Sequence, residues 1–83
     1  MADITRDVYR EAIDLIDDDI IEAINSRREL AQAIIAQRVQ EGHPRVDPDR
    51  VAEISARYAA GVKVPDAARR ARNFADAVLS VCA

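Results

Sequence analysis

Residues 5 to 40 contain neither glycine nor proline, and apolar side chains recur there at helical spacing: Ile13, Ile16, Ile20, Ile24, Ala31 and Ile34. A single helix over this stretch would be about 54 Å long at 1.5 Å per residue. The whole chain has only 83 residues, so the remainder is too short to cover a rod of that length. The pattern predicts that the helix pairs with a second copy of itself. Size argues the same way. A chain this short buries only about 60–65% of its unfolded surface, and association is a common remedy in small scaffolds.

The rest of the chain reads as two short helices. Gly42 supplies a left-handed cap after the long helix, and Pro44 blocks its continuation. Asp47-Pro48 reads as an N-cap followed by proline at the first helical position. This places a second helix over about 48–60 with Val51, Ile54 and Tyr58 inward, closed by Gly61. Pro65 opens a third helix over about 65–82, with Ala67, Ala71, Phe74, Val78 and Val81 on one stripe. With 4% aromatic residues, two glycines and three prolines, a sheet with many turns is not expected. The expected fold is all-α: one domain over residues 1–83, one long helix and two shorter ones, in an intertwined antiparallel homodimer.

Composition narrows the functional classes. The net charge of −3 does not suit a general nucleic-acid partner. The run Asp17-Asp18-Asp19 and the group Arg69, Arg70 and Arg72 read as solvated helix faces. Consecutive aspartates on a helix lie about 100° apart and do not converge on a metal. The lone Cys82 cannot form an internal disulfide and suits a reducing, cytoplasmic setting. No apolar run approaches the ~18 residues that would span a membrane, and the first residues lack the pattern of a signal peptide. His43, beside Pro44, reads as a solvated loop residue. No GxSxG, HExxH, CxxC or phosphate-loop pattern is present. Neither metal nor cofactor is expected, and hydrolysis and phosphoryl transfer have no visible apparatus.

The arginines are more informative. Arg27, Ala31, Ile34 and Arg38 follow i, i+4, i+7, i+11. Eleven residues turn a helix about 1100°, which returns Arg38 to within ~20° of Arg27 at a separation of ~16 Å. Two guanidinium arms flank a small, apolar floor and can grip one compact anion, since arginine stays charged and binds carboxylates bidentately. Arg10 continues the same 3–4 spacing but lies ~25 Å before Arg27 along a straight helix. It can reach this cluster only from the second copy of an antiparallel pair, which predicts two shared sites per dimer. Arg50 would approach from the lid side, where the start of the second helix adds free N–H groups and partial positive charge. Arg6, Arg28 and Arg57 read as solvating residues.

Taken together, these positions resemble a family. Arg10, Asp14 and Asp17 with the isoleucines between and after them, then Arg27-Arg28-Glu29-Leu30-Ala31, then Arg38, Gly42, Val46-Asp47 and Arg50, look like the AroQ-type chorismate mutases over about residues 8–58. The stretch from Gly42 to Val46 and the brief C-terminus look most like the short actinobacterial members. The resemblance implies an intertwined all-α dimer that converts chorismate to prephenate without a cofactor. It implies that Arg10 comes from the partner subunit to bind a substrate carboxylate, that Arg27 holds a carboxylate within its own subunit, and that Arg38 faces the ether oxygen. Val46, Asp47, Arg50 and Val51 would form the edge of the pocket at the second helix. As a group, the short actinobacterial relatives are boosted by a 3-deoxy-heptulosonate phosphate synthase, a candidate partner here.

Two departures stand out. Most family members carry a glutamate after the arginine at position 50, where it meets the substrate's C4 hydroxyl. Here the residue is Val51. A glutamine that many relatives supply late in the third helix would fall about two residues beyond Ala83, and the Gly- and Arg-containing tail of the short relatives is also missing. An Arg-Val pair at 50 and 51 looks like two sister activities on the same scaffold, 4-amino-4-deoxychorismate mutase and isochorismate–pyruvate lyase. Val51 also fits as ordinary core. A weakly active or non-catalytic helical subunit that docks to a shikimate-pathway protein is a further alternative.

Overall fold

The computed structural model describes residues 2–83, with side chains from Ile4 onward; Met1, the first residue of the expected domain, lies outside the described residues. The fold is all-α: α1 (Ala2–Gln40), α2 (Pro48–Gly61) and α3 (Ala67–Cys82), with no strand among the described residues. No helix among them is long and apolar enough to cross a membrane.

Each boundary has a local cause. After α1, Gly42 takes φ 82°, a conformation costly for any residue with a Cβ. That turn lets the Gly42 N–H donate to the Val39 carbonyl at 3.0 Å and the His43 N–H to the Arg38 carbonyl at 2.8 Å, the paired bonds of a Schellman cap. Asp47 is the N-cap of α2, with Pro48 at its first turn. Gly61 is the last residue of α2, and the Val62 N–H closes the helix on the Tyr58 carbonyl at 2.9 Å. Pro65 lies in the turn ahead of α3 because Asp66 is left-handed (φ 56°, ψ 46°), so the helix starts at Ala67.

α3 is the middle layer: it packs on α2 and on α1, while α1 and α2 do not pack on each other. The core is small, comprising Ile54 of α2 and Ala71, Ala75, Val78 and Cys82 of α3. The stripe expected on α3 is therefore displaced. Ala75 and Cys82 are inside, whereas Phe74 and Val81 are exposed. Alanines at 71 and 75 let the α2 and α3 backbones approach closely, and the bulkier Phe74 is left at the edge, its ring 5.6 Å from that of Tyr58. On α2, Ile54 is buried and Val51 and Tyr58 are half-buried.

The α2–α3 pair covers only the C-terminal half of α1. Every side chain from Ile4 to Ala23 is exposed, and residues become half-buried first at Ile24 and then at Arg27, Ala31, Gln32, Ile35 and Arg38. The N-terminal half is an uncovered arm bearing Val8, Ile13, Ile16 and Ile20, each more than half exposed. The chain extends 61 Å along its long axis, with a radius of gyration of 16.8 Å.

Candidate active site

A cleft of ≈ 570 Å³ opens where the C-terminal half of α1, the loop after it, the start of α2 and the end of α3 converge. α1 contributes Arg27, Ala31, Ile34 and Arg38 from one face, the i, i+4, i+7, i+11 set, joined by Leu30 and Ile35. The loop and α2 add Arg45, Val46, Asp47, Arg50, Val51 and Ile54, and α3 adds Asp76, Leu79 and Cys82. The lining is thus mostly aliphatic, with four guanidinium groups and two carboxylates set into it. α3 is fastened at the back of the cleft by Gln32, whose Nε2 donates to the carbonyls of Cys82 (3.0 Å) and Ala83 (2.9 Å). The Cys82 carbonyl is a helix-end acceptor with no partner within the helix.

Arg38 is the most constrained of the cations. Its Nε donates to the Pro44 carbonyl at 2.9 Å, and its Nη1 lies 3.7 Å from Oδ2 of Asp47. The Gly42 turn makes the first contact possible by bringing Pro44 back over the last turn of α1. Asp47 is occupied on its other side as well, since Oδ1 accepts from the backbone N–H groups of Asp49 (3.1 Å) and Arg50 (3.4 Å). The expectation that the start of α2 offers free N–H groups to a ligand is corrected here, because Asp47 already satisfies two of them. Its carboxylate instead ties Arg38 to the start of α2.

Arg50 lies at the rim and pairs with Glu53 at 3.0 Å, both side chains being largely exposed. Arg27 is half-buried and has no ion pair among the described residues. Val46 and Val51 contribute apolar surface. Of the residues expected from the sequence, Arg27, Arg38, Val46, Asp47, Arg50 and Val51 thus line one cleft. Arg10 does not. It stands on the uncovered arm with its side chain 67% exposed, loosely facing Asp7 at 3.9 Å.

Two polar residues of the cleft were missed by sequence reasoning. Arg45 sits in a loop, where no periodicity tells which way a side chain faces. Asp76 belongs to the α3 face carrying Leu79, one step round from the stripe expected to be inward. Its neighbours Ala75 and Cys82 would have revealed that face had small residues been weighed above Phe74.

A family model described as chorismate mutase type II matches residues 9–82. The chain belongs to this family. No curated protein and no solved structure gives a significant match. The matched span holds α2, α3, all but the first turns of α1, and every cleft residue named above except Ala83.

Proposed function

We propose that the protein is a chorismate mutase, carrying the intramolecular rearrangement of chorismate to prephenate. The observation that carries this is the placing of Arg27 and Arg38 over an aliphatic floor in the cleft of a chain of this family. The reaction needs no external nucleophile and no proton carrier: the C–O ether bond breaks as a C–C bond forms within one molecule. The protein must hold the dicarboxylate in its folded, reactive conformer and set positive charge where the breaking bond leaves negative charge on the ether oxygen. Arg27 is the carboxylate clamp. Arg38 is the electrostatic catalyst, held in place before substrate arrives by Pro44 and Asp47. The aliphatic lining excludes water, which strengthens both interactions.

The uncovered arm supports a homodimer in which Arg10 of a second copy completes the site. Among the described residues, fifteen large apolar side chains are exposed, most of them on α1, and soluble monomers seldom leave so much apolar surface open. Incubating purified protein with chorismate and following its ultraviolet absorbance tests the activity. Consumption above the uncatalysed rate is expected, and its absence, alone or with an activating partner, counts against the proposal. That partner would be another enzyme of the same pathway, such as a 3-deoxy-heptulosonate phosphate synthase, and rate enhancement on mixing would identify it.

One observation favours a second reading. Val51 presents an aliphatic surface to the cleft, so position 51 offers no carboxylate to a C4 hydroxyl. The same pocket would then serve 4-amino-4-deoxychorismate or isochorismate. Turnover of the three substrates, compared side by side, separates these activities, and a strict preference for chorismate retires the second reading.

A further inference from the structure

We infer that Asp76 of α3 is the cleft's acceptor for the hydrogen-bond-donating ring substituent of the ligand, and that its charge favours an ammonium there over a hydroxyl. This rests on the proposed rearrangement of a chorismate-type dicarboxylate and names the residue that chooses among such substrates.

Most charges of the cleft are matched within the chain. Arg38 meets Asp47, Arg50 meets Glu53, and Arg45 meets an oxygen of Ala83, the last residue of the chain, at 3.4 Å. Arg27 and Asp76 are left without an ion pair among the described residues, and they are not within ion-pair distance of each other. The two are opposite in sign. Arg27 suits a carboxylate. Asp76 does not, because a carboxylate set beside it would be repelled, and more strongly as water leaves the cleft. What fits against Asp76 is a part of the ligand that donates a hydrogen bond or carries positive charge. In ligands of this class that part is the substituent at C4, a hydroxyl in chorismate and an ammonium in 4-amino-4-deoxychorismate.

The helix pair sets the position of Asp76. α2 and α3 are joined by the short turn 62–66, so they pack antiparallel, and the Tyr58 ring lies 5.6 Å from that of Phe74. Two residues on from Phe74, Asp76 comes level with Ala56, about 3 Å along the axis from Ile54 and about 8 Å from Val51. All three of Val51, Ile54 and Asp76 line the cleft. Val51 offers that space no acceptor, and Asp76 supplies a carboxylate to it from the neighbouring helix. Asp76 is exposed in the single chain and makes no side-chain hydrogen bond among the described residues, so its oxygens are open to a ligand. A carboxylate–ammonium contact is ionic on both sides and a carboxylate–hydroxyl contact on one, so the amino ligand is held more firmly.

The test uses the full-length protein with chorismate and 4-amino-4-deoxychorismate, and kcat/KM is measured on both for wild type, Asp76→Asn and Asp76→Ala. Asparagine keeps an acceptor oxygen and removes the charge. In Asp76→Asn, kcat/KM for the amino substrate is expected to fall at least about tenfold, while that for chorismate stays within about threefold of wild type. Asp76→Ala should lower both, the amino substrate more. The melting temperature and sedimentation of Asp76→Asn should match wild type. An equal loss on the two substrates in Asp76→Asn overturns the assignment, and a lowered melting temperature or a weakened dimer beside it would show that Asp76 serves the fold or the subunit contact instead. Values within about twofold of wild type on both substrates overturn it as well, as does a wild type that turns over chorismate but not the amino compound. If wild type consumes neither substrate, alone or with an activating partner, the proposed function fails first and takes the role of Asp76 with it.

Discussion

Asp47 serves two structures with one carboxylate: Oδ1 caps α2 and Oδ2 faces the Arg38 guanidinium. Two substitutions separate these duties. Asn and Asp are equally good N-caps, whereas alanine at a cap costs about 0.5–2 kcal/mol. Asp47→Asn is therefore expected to melt close to wild type but to lose kcat several-fold, since Arg38 would keep only its bond to Pro44. Asp47→Ala should lose both stability and rate. Thermal melts and steady-state kinetics check the pair; an Asn variant with unchanged kcat would show that Asp47 acts only as a cap. Arg38 itself is expected to matter far more. Arg38→Ala should lower kcat by about 10²–10³-fold, the usual scale for a lost electrostatic donor, while Arg28→Ala, on the exposed side of α1, should stay near wild type. Equal and mild effects at both positions would remove the electrostatic role. The cap was legible in Asp47-Pro48, but the pairing with Arg38 was not, because the turn between them sets that distance and no spacing rule encodes it.

At the scale of elements, the turn at residues 41–47 is the part on which the site depends. Gly42 at φ 82° sends the chain back so that the Pro44 carbonyl meets Arg38. There is open space where a Cβ would sit, so Gly42→Ala is a test of backbone conformation rather than of packing. The left-handed region costs an L-residue about 1–2 kcal/mol, and each kcal/mol lowers the melting temperature of a domain this size by about 4–8 °C. The same change should depress kcat, because relaxation of the turn withdraws Pro44. A Gly42→Ala protein with full stability and activity would mean that the turn holds without glycine. The ends of α1 and α2 were legible because Gly, Pro and Asp act locally. The inward face of α3 was not. Ranking Phe74 above Ala75 follows side-chain bulk, but Ala71, Ala75 and Cys82 turn inward with Val78 while Phe74 stays exposed, and which face is inward is a property of the pair of helices.

The shape of the whole molecule poses the remaining question. A compact chain of this length would have a radius of gyration near 12 Å, against the observed 16.8 Å. The excess lies in the arm of α1, where Ile13, Ile16 and Ile20 face water. Burying one such side chain is worth about 1.5–3 kcal/mol, so an antiparallel pair of arms has several of these gains available in each copy, and sedimentation is expected to report twice the 9.2 kDa of one chain. Ile16→Asp should weaken that association and the activity together, since Arg10 reaches a cleft only from the other copy. Mixing two inactive variants tests the sharing of sites directly. In a heterodimer of an Arg10→Ala chain with an Arg27→Ala chain, one site collects both defects and the other collects none. Random reassortment of equal amounts makes half the dimers heterodimers, so about a quarter of the wild-type activity should return. Recovery requires that subunits exchange, which mass spectrometry of a mixture with one labelled chain establishes independently. Exchange without recovery would place Arg10 outside the site and leave the cleft of each chain to work alone.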